Sequence, residues 1–224
     1  MAISRRRLLT AGAAGSAGAV IGFTAHASAA PSTASGVTPS DADIGFCTDM
    51  AAHHVQALAL CQRVLGRDTG DPVQAAASEV LQNQAIEVGM MRAWLTDWGE
   101  ATNTSELVMG WMGANDGAGV PISMMEGYAS AAALQELSTT DGLAAGRLWL
   151  ELMRAHHVGG VSMAEHAAAI VSTDKVRRLA TTQAEVQTFE ISQYDALIGG
   201  TYAIDGWVRP ASLDTDTWVC DIDD

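Results

Sequence analysis

The chain has 224 residues, of which 48% are hydrophobic and only 5% aromatic, and its formal net charge is -14. A chain of this length can build one sizeable core, and abundant alanine with few aromatic residues favours packed helices over sheets. So acidic a chain argues against binding of nucleic acid or anionic lipid and makes a cation a more natural ligand.

The first 30 residues have the pattern of a twin-arginine export signal. Three consecutive arginines, beginning at Arg5, precede a weakly apolar stretch rich in Gly and Ala, and small residues up to Ala29 offer cleavage sites. The stretch is too short and too rich in glycine for a membrane anchor. We therefore expect export with removal of residues 1–30, a linker over 31–40, and a secreted or cell-envelope protein that has no membrane span.

Helical periodicity predicts four long helices and a short one, in chain order at residues 43–65, 72–98, 130–137, 143–171 and, after a turn at 172–174, 175–198. A turn rich in Gly, Asp and Pro separates the first two. Residues 100–128 carry methionines and tryptophan among glycines and predict a long crossover. The acidic extension over residues 199–224 has no clear period, and it could be docked or partly disordered.

An internal repeat decides the expected architecture. Residues of the first two long helices recur 103 positions later in the last two, namely Phe46, Met50, His53, His54, Gln84 and Glu87 as Trp149, Met153, His156, His157, Gln187 and Glu190. A constant offset across two helices and their turn indicates a duplicated helical hairpin. Two such hairpins predict an all-α four-helix bundle over residues 41–198.

The repeated histidines fall on or beside the apolar stripes of their helices. His53 lies on the core stripe of the first helix, whereas His54 is rotated about 100° around the axis and should lie at the flank. His156 and His157 repeat this relation on the third long helix. Residues equally far from the turn of an antiparallel hairpin lie at the same height. We therefore expect His53 and His54 to be level with residues 84–87, and His156 and His157 with residues 187–190.

A buried carboxylate in each hairpin completes a predicted polar layer of His, Gln and Glu. Glu87 and Glu190 stand within mostly apolar stripes, next to Gln84 and Gln187. Burial of a carboxylate is costly unless it is paired or bound to a metal. Histidine is the nearest candidate partner.

Met50 and Met153 each precede the first histidine of a pair by three residues, which places thioether and imidazole on one helix face. This ligand pair favours copper, particularly Cu(I), although another soft transition metal remains possible. The metal-binding residues that we expect are Met50, His53, His54, Glu87, Met153, His156, His157 and Glu190. The alternative is a non-enzymatic structural or protein-interaction bundle whose polar layer is a hydrogen-bonded core network.

Cysteine spacing and catalytic motifs give no prediction of an enzyme. E-x-x-H, H-E-x-x-H, C-x-x-C-H and G-x-S-x-G are all absent from the sequence. Cys47 and Cys61 would lie roughly 21 Å apart along one helix and cannot bridge each other. Either of them could pair with Cys220, or all three are free thiols.

The doubled pattern resembles the bacterial domain-of-unknown-function family 305 over about residues 41–198. The residues that carry the resemblance include Asp43, Phe46, Met50, His53, His54, Gln84, Glu87, Trp98, Trp149, Met153, His156, His157, Gln187 and Glu190. The family is ferritin-like, and some exported members bind copper or silver and support copper tolerance. The resemblance therefore implies copper buffering or tolerance, with the histidine pairs and nearby methionines as ligands.

Some positions depart from the family pattern. Tyr194 and Leu60 stand where methionine is usual, and Gly146 stands where aspartate is usual. Residues 120–123 replace a methionine-bearing run in the crossover. Fewer thioethers leave the number and affinity of copper sites open.

Overall fold

A computed structural model of the chain describes residues 38–213. Within them the fold is all-α, with five helices: α1 (Asp41–Gln62), α2 (Asp71–Trp98), α3 (Ala131–Thr139), α4 (Gly142–Ile170) and α5 (Asp174–Gly199). Each predicted helix is confirmed, with ends that differ by at most three residues. The predicted export signal, most of the predicted linker, Cys220 and residues 214–224 lie outside the described residues.

The crossover contains a small strand pair that the sequence did not predict. Strands β1 (Leu107–Val108) and β2 (Val120–Pro121) are antiparallel, and short 3-10 turns follow them. Asp49 on α1 fixes this segment, because its Oδ2 accepts hydrogen bonds from the backbone of Met109 at 2.6 Å and from the indole of Trp111 at 2.9 Å.

Among residues 38–213, none of the helices has the length and apolar character that a membrane span requires.

The helices form two tightly packed pairs, α1 with α2 and α4 with α5, and α1 also packs against α4. The relative direction of α1 and α4 follows from two clusters of buried apolar side chains. Met50 of α1 shares the first cluster with Met163 near the end of α4, whereas Leu60 of α1 shares the second with Trp149 near the start of α4. The two helices therefore run in opposite directions, and the histidine pairs lie between the clusters.

Polar contacts fix the helix ends. Ser40 caps α1 in a capping box with Asp43. Asp43 is fully buried and also accepts hydrogen bonds from the backbone and hydroxyl groups of Ser172 and Thr173, in the turn that precedes α5. This carboxylate joins the start of α1 to the α4–α5 turn.

The described part of the C-terminal extension is docked on the helices. Tyr202 is fully buried and donates a hydrogen bond to the carbonyl of Thr69 at 2.8 Å. Trp207 donates from its indole to Glu151 at 3.1 Å, and Leu213 belongs to the second apolar cluster. Of the two outcomes left open for the extension, docking applies to residues 200–213.

Candidate metal centre

The two histidine pairs lie together in the interior. All four side chains are fully buried. The rings of His53 and His156 stack with their centres 3.6 Å apart, and Nε2 of His156 lies 2.9 Å from the carbonyl oxygen of His53. The 103-residue repeat therefore brings its equivalent histidines into contact at the α1–α4 interface.

The second histidine of each pair binds the carboxylate of its own helix pair. Nε2 of His54 lies 2.7 Å from Oε2 of Glu87, and Nε2 of His157 lies 2.7 Å from Oε2 of Glu190. The sequence placed both histidines of α1 at the height of Glu87, and His54, which was expected at the flank of the apolar stripe, is fully buried and contacts this carboxylate. Because α1 touches both α2 and α4, a rotation of about 100° turns the side chain from one neighbour to the other and leaves it buried.

Two residues of α5 make the helix pairs unequal. Gln183 donates from its amide to Oε2 of Glu87 at 2.9 Å, whereas its repeat equivalent is Val80. The hydroxyl of Tyr194 lies 3.4 Å from Nε2 of His157, whereas its repeat equivalent is Met91. Neither residue had a predicted contact, because only the fold shows which neighbour each of them meets.

Several buried polar atoms of this layer have no hydrogen-bond partner among the described residues. They are Nδ1 of His54, His156 and His157, both ring nitrogens of His53, and Oε1 of Gln84, Gln183 and Gln187. Unpartnered buried polar groups are rare in folded proteins, and a cluster of them is typical of a functional site.

Electrostatics keep the stacked imidazoles neutral. Burial, and then repulsion from the neighbouring imidazoles, holds the pKa of His53 and His156 well below the usual range. Burial opposes ionisation of Glu87, but the hydrogen bonds from His54 and Gln183 outweigh it and lower its pKa. Neutral imidazole is the form that binds metals.

A narrow cleft opens from the polar layer towards solvent. A cleft of ≈ 20 Å³ between α2 and α5, large enough for about one water molecule, is lined by Gln84, Glu87, Gln187 and Glu190, together with Gln183. The side chain of Glu87 is 23% exposed and that of Glu190 is 12% exposed. The two carboxylates thus lie between the buried imidazoles and the outside.

The predicted thioether ligands are buried on either side of the layer. Met50 packs in the first apolar cluster and Met153 in the second. Cys47 and Cys61 are buried and not bonded to each other, and burial raises the pKa of both thiols to about 12, which disfavours thiolate. Within residues 38–213, no group of three or more His, Cys, Asp or Glu side chains is arranged to hold one metal ion.

Each histidine pair has the ring separation that a two-coordinate ion would require. A ligating nitrogen lies about 2 Å from its metal and about 1.1 Å from its own ring centre, so imidazoles on opposite sides of one ion have centres about 6 Å apart. The ring centres are 6.3 Å apart in His53–His54 and 6.1 Å apart in His156–His157. Both pairs also have unpartnered ring nitrogens, and imidazole donors suit copper, zinc and similar transition metals better than hard cations such as magnesium.

Comparison with known families identifies the chain. The model of the family described as domain of unknown function DUF305 matches residues 43–198. The chain belongs to the DUF305 family. The resemblance seen in the repeated histidine pattern is thereby confirmed, and the DUF305 region ends where α5 ends. No curated protein matches the chain.

Solved structures support the same assignment. A DUF305 protein of Streptomyces coelicolor is 35% identical, with a TM-score of 0.66 over 75% of this chain and 98% of its own. A DUF305 fragment of Deinococcus radiodurans is 28% identical, with a TM-score of 0.60 over 72% of this chain and 97% of its own. CopM in its Cu(I)-bound form shares the fold at 18% identity, with a TM-score of 0.55 over 71% and 97%.

Proposed function

We propose that this DUF305 protein is exported and binds copper, most favourably Cu(I), for copper buffering or tolerance. The residues proposed for the site are Met50, His53, His54, Glu87, Met153, His156, His157 and Glu190. The proposal rests chiefly on one observation, the cluster of buried imidazole nitrogens without partners. Ring separations near 6 Å within each histidine pair add to it.

The structural relatives add support of a different kind. CopM, which shares the fold, has been solved with Cu(I), with Cu(II) and with silver. The Streptomyces coelicolor relative is described as a candidate secreted protein, in line with the export pattern at residues 1–30. We further propose that α1, α2, α4 and α5 form a ferritin-like four-helix bundle that arose by duplication of a helical hairpin.

Metal titration of the purified mature protein tests the proposal. Cu(I) is added without oxygen in competition with a chromophoric chelator, and melting is followed with and without the ion. We expect stoichiometric binding and a higher melting temperature, since a ligand at 100 times its Kd stabilises the folded state by about 2.7 kcal/mol.

Variants distinguish the layer from other donors. The double variant His53→Ala/His156→Ala should lose Cu(I) binding, whereas the control His166→Ala, a partly exposed histidine outside the layer, should keep it. Unchanged binding in the folded double variant contradicts the site. Absence of stoichiometric binding, with equal melting temperatures, supports the alternative of a structural polar network.

A further inference from the structure

We infer that Glu87 and Glu190 are positioning residues, which fix the tautomer of the second histidine in each pair so that Nδ1 is its metal-binding nitrogen. The inference rests on the proposed metal-binding function and narrows it, because it moves the two carboxylates from the ligand set to the residues that support it. The geometry of the hydrogen bonds carries the argument.

An ionised carboxylate can only accept hydrogen bonds, so its imidazole partner must donate. At 2.7 Å, Nε2 of His54 carries the hydrogen that faces Glu87, and Nε2 of His157 carries the one that faces Glu190. In the neutral form of each ring, which has a single hydrogen, Nδ1 then bears the lone pair. Both Nδ1 atoms are buried and unpartnered.

A backbone carbonyl fixes a third ring in the same way. Nε2 of His156 lies 2.9 Å from the carbonyl oxygen of His53, which also only accepts, and Nδ1 of His156 is again unpartnered. Neither ring nitrogen of His53 has a hydrogen-bond partner among the described residues, and the backbone of Glu126 opposes the effect of burial on the pKa of His53 without outweighing it. Three of the four imidazoles therefore offer Nδ1.

A second hydrogen-bond donor holds Glu87 in the position that this role requires. Oε2 of Glu87 accepts from both His54 and Gln183, so the oxygen nearest the imidazole is already satisfied. In metal sites, a carboxylate on the far nitrogen of a ligating histidine orients the ring and raises its basicity, and its removal lowers metal affinity about 10- to 100-fold. We expect that range for each glutamate.

Nitrogen-15 NMR of the histidine side chains tests the tautomers directly in metal-free wild-type protein. His54, His156 and His157 should all show a hydrogen on Nε2, and this reading needs no variant that might misfold. A hydrogen on Nδ1 of His54 and His157 overturns the inference. Failure of the wild type to bind Cu(I) contradicts the proposed function instead, and the tautomers remain measurable.

Matched variants link the tautomer to affinity. In Glu87→Gln and Glu190→Gln the amide can donate to Nε2, so the facing imidazole should shift towards the Nδ1–H form and Cu(I) affinity should fall about 10-fold or more. Glu79→Gln makes the same change at an exposed position of α2 and should alter neither property. A shifted tautomer with wild-type affinity in both layer variants overturns the positioning role.

Discussion

At the start of α1, Asp43 is buried and bonded to the turn before α5, whereas the equivalent position at the start of α4 is Gly146. The missing side chain leaves room that Tyr202 occupies. A Cβ added to Gly146 would lie 2.4 Å from the Tyr202 ring, and the hydroxyl of that ring donates to Thr69 in the α1–α2 turn.

The two halves of the repeat are the helix pair α1–α2 and the helix pair α4–α5. The turns within these two pairs are thus fixed by different kinds of contact. A carboxylate inside the repeat fixes one turn, and an aromatic side chain from outside the repeat fixes the other. The two turns are equivalent in the repeat, because Thr69 lies 103 residues before Ser172, whose hydroxyl donates a hydrogen bond to Asp43. Equivalent positions of two similar helix pairs can therefore fix their turns through unrelated contacts, one from within the pair and one from a later segment of the chain.

Removal of the Tyr202 side chain should change the free energy of unfolding most. Tyr202→Ala should lower the free energy of unfolding by about 4 kcal/mol, since it empties a fully buried aromatic site. Denaturant unfolding measures the change. Val208→Ala, at an 81% exposed position of the same extension, should change stability by less than about 0.5 kcal/mol. An equally small effect of Tyr202→Ala would show that the extension does not stabilise the α1–α2 turn.

The next effect concerns the carboxylate of the first half. Asp43→Ala should cost about 3 kcal/mol, because it leaves the buried donors of Thr173 and the Ser172 backbone without an acceptor. The control is Asp41→Ala, an exposed aspartate in the same helix turn. A cost equal to that of the control would contradict the role of Asp43.

This second effect should depend on pH. Burial opposes ionisation of Asp43, but hydrogen bonds from surrounding hydroxyl and backbone groups outweigh it and hold its pKa below the usual 3.8. A lowered pKa in the folded state means that the contribution is complete above pH 3.8 and is lost as pH falls below it. The wild type and Asp43→Ala should therefore converge in stability in acid. Tyr202→Ala should show no such convergence, which separates the two halves.

The contrast also shows what the sequence could predict. Helical periodicity and the constant offset predicted the helices, the height of the polar layer and the contact between each glutamate and its own histidine pair. They did not predict which histidine contacts Glu87, because α1 packs against both α2 and α4, and a single apolar stripe does not show which side chain faces which neighbour. Nor could they predict the position of Tyr202, which has no repeat partner and lies outside any periodic pattern.

The smallest expected effect lies in the polar layer, where Gln183 supports Glu87 while Val80 occupies the equivalent position beside Glu190 in the same cleft. Gln183→Val should lower the free energy of unfolding by about 1 kcal/mol, because Glu87 keeps His54 and partial solvent contact when it loses the amide donor. The reverse change, Val80→Gln, adds an amide next to Glu190.

Exchanging both residues, in Gln183→Val/Val80→Gln, moves the amide from one half to the other. If the halves differ here only by this donor, the double variant should recover most of the stability that Gln183→Val loses, as a double-mutant cycle would measure. Recovery below about 0.3 kcal/mol would mean that Tyr194, close to His157, already supplies the polar contact that the second half needs. Gln183 and Tyr194 would then do the same work in the two halves although they are not equivalent in the repeat. The same holds for Asp43 and Tyr202 at the two turns.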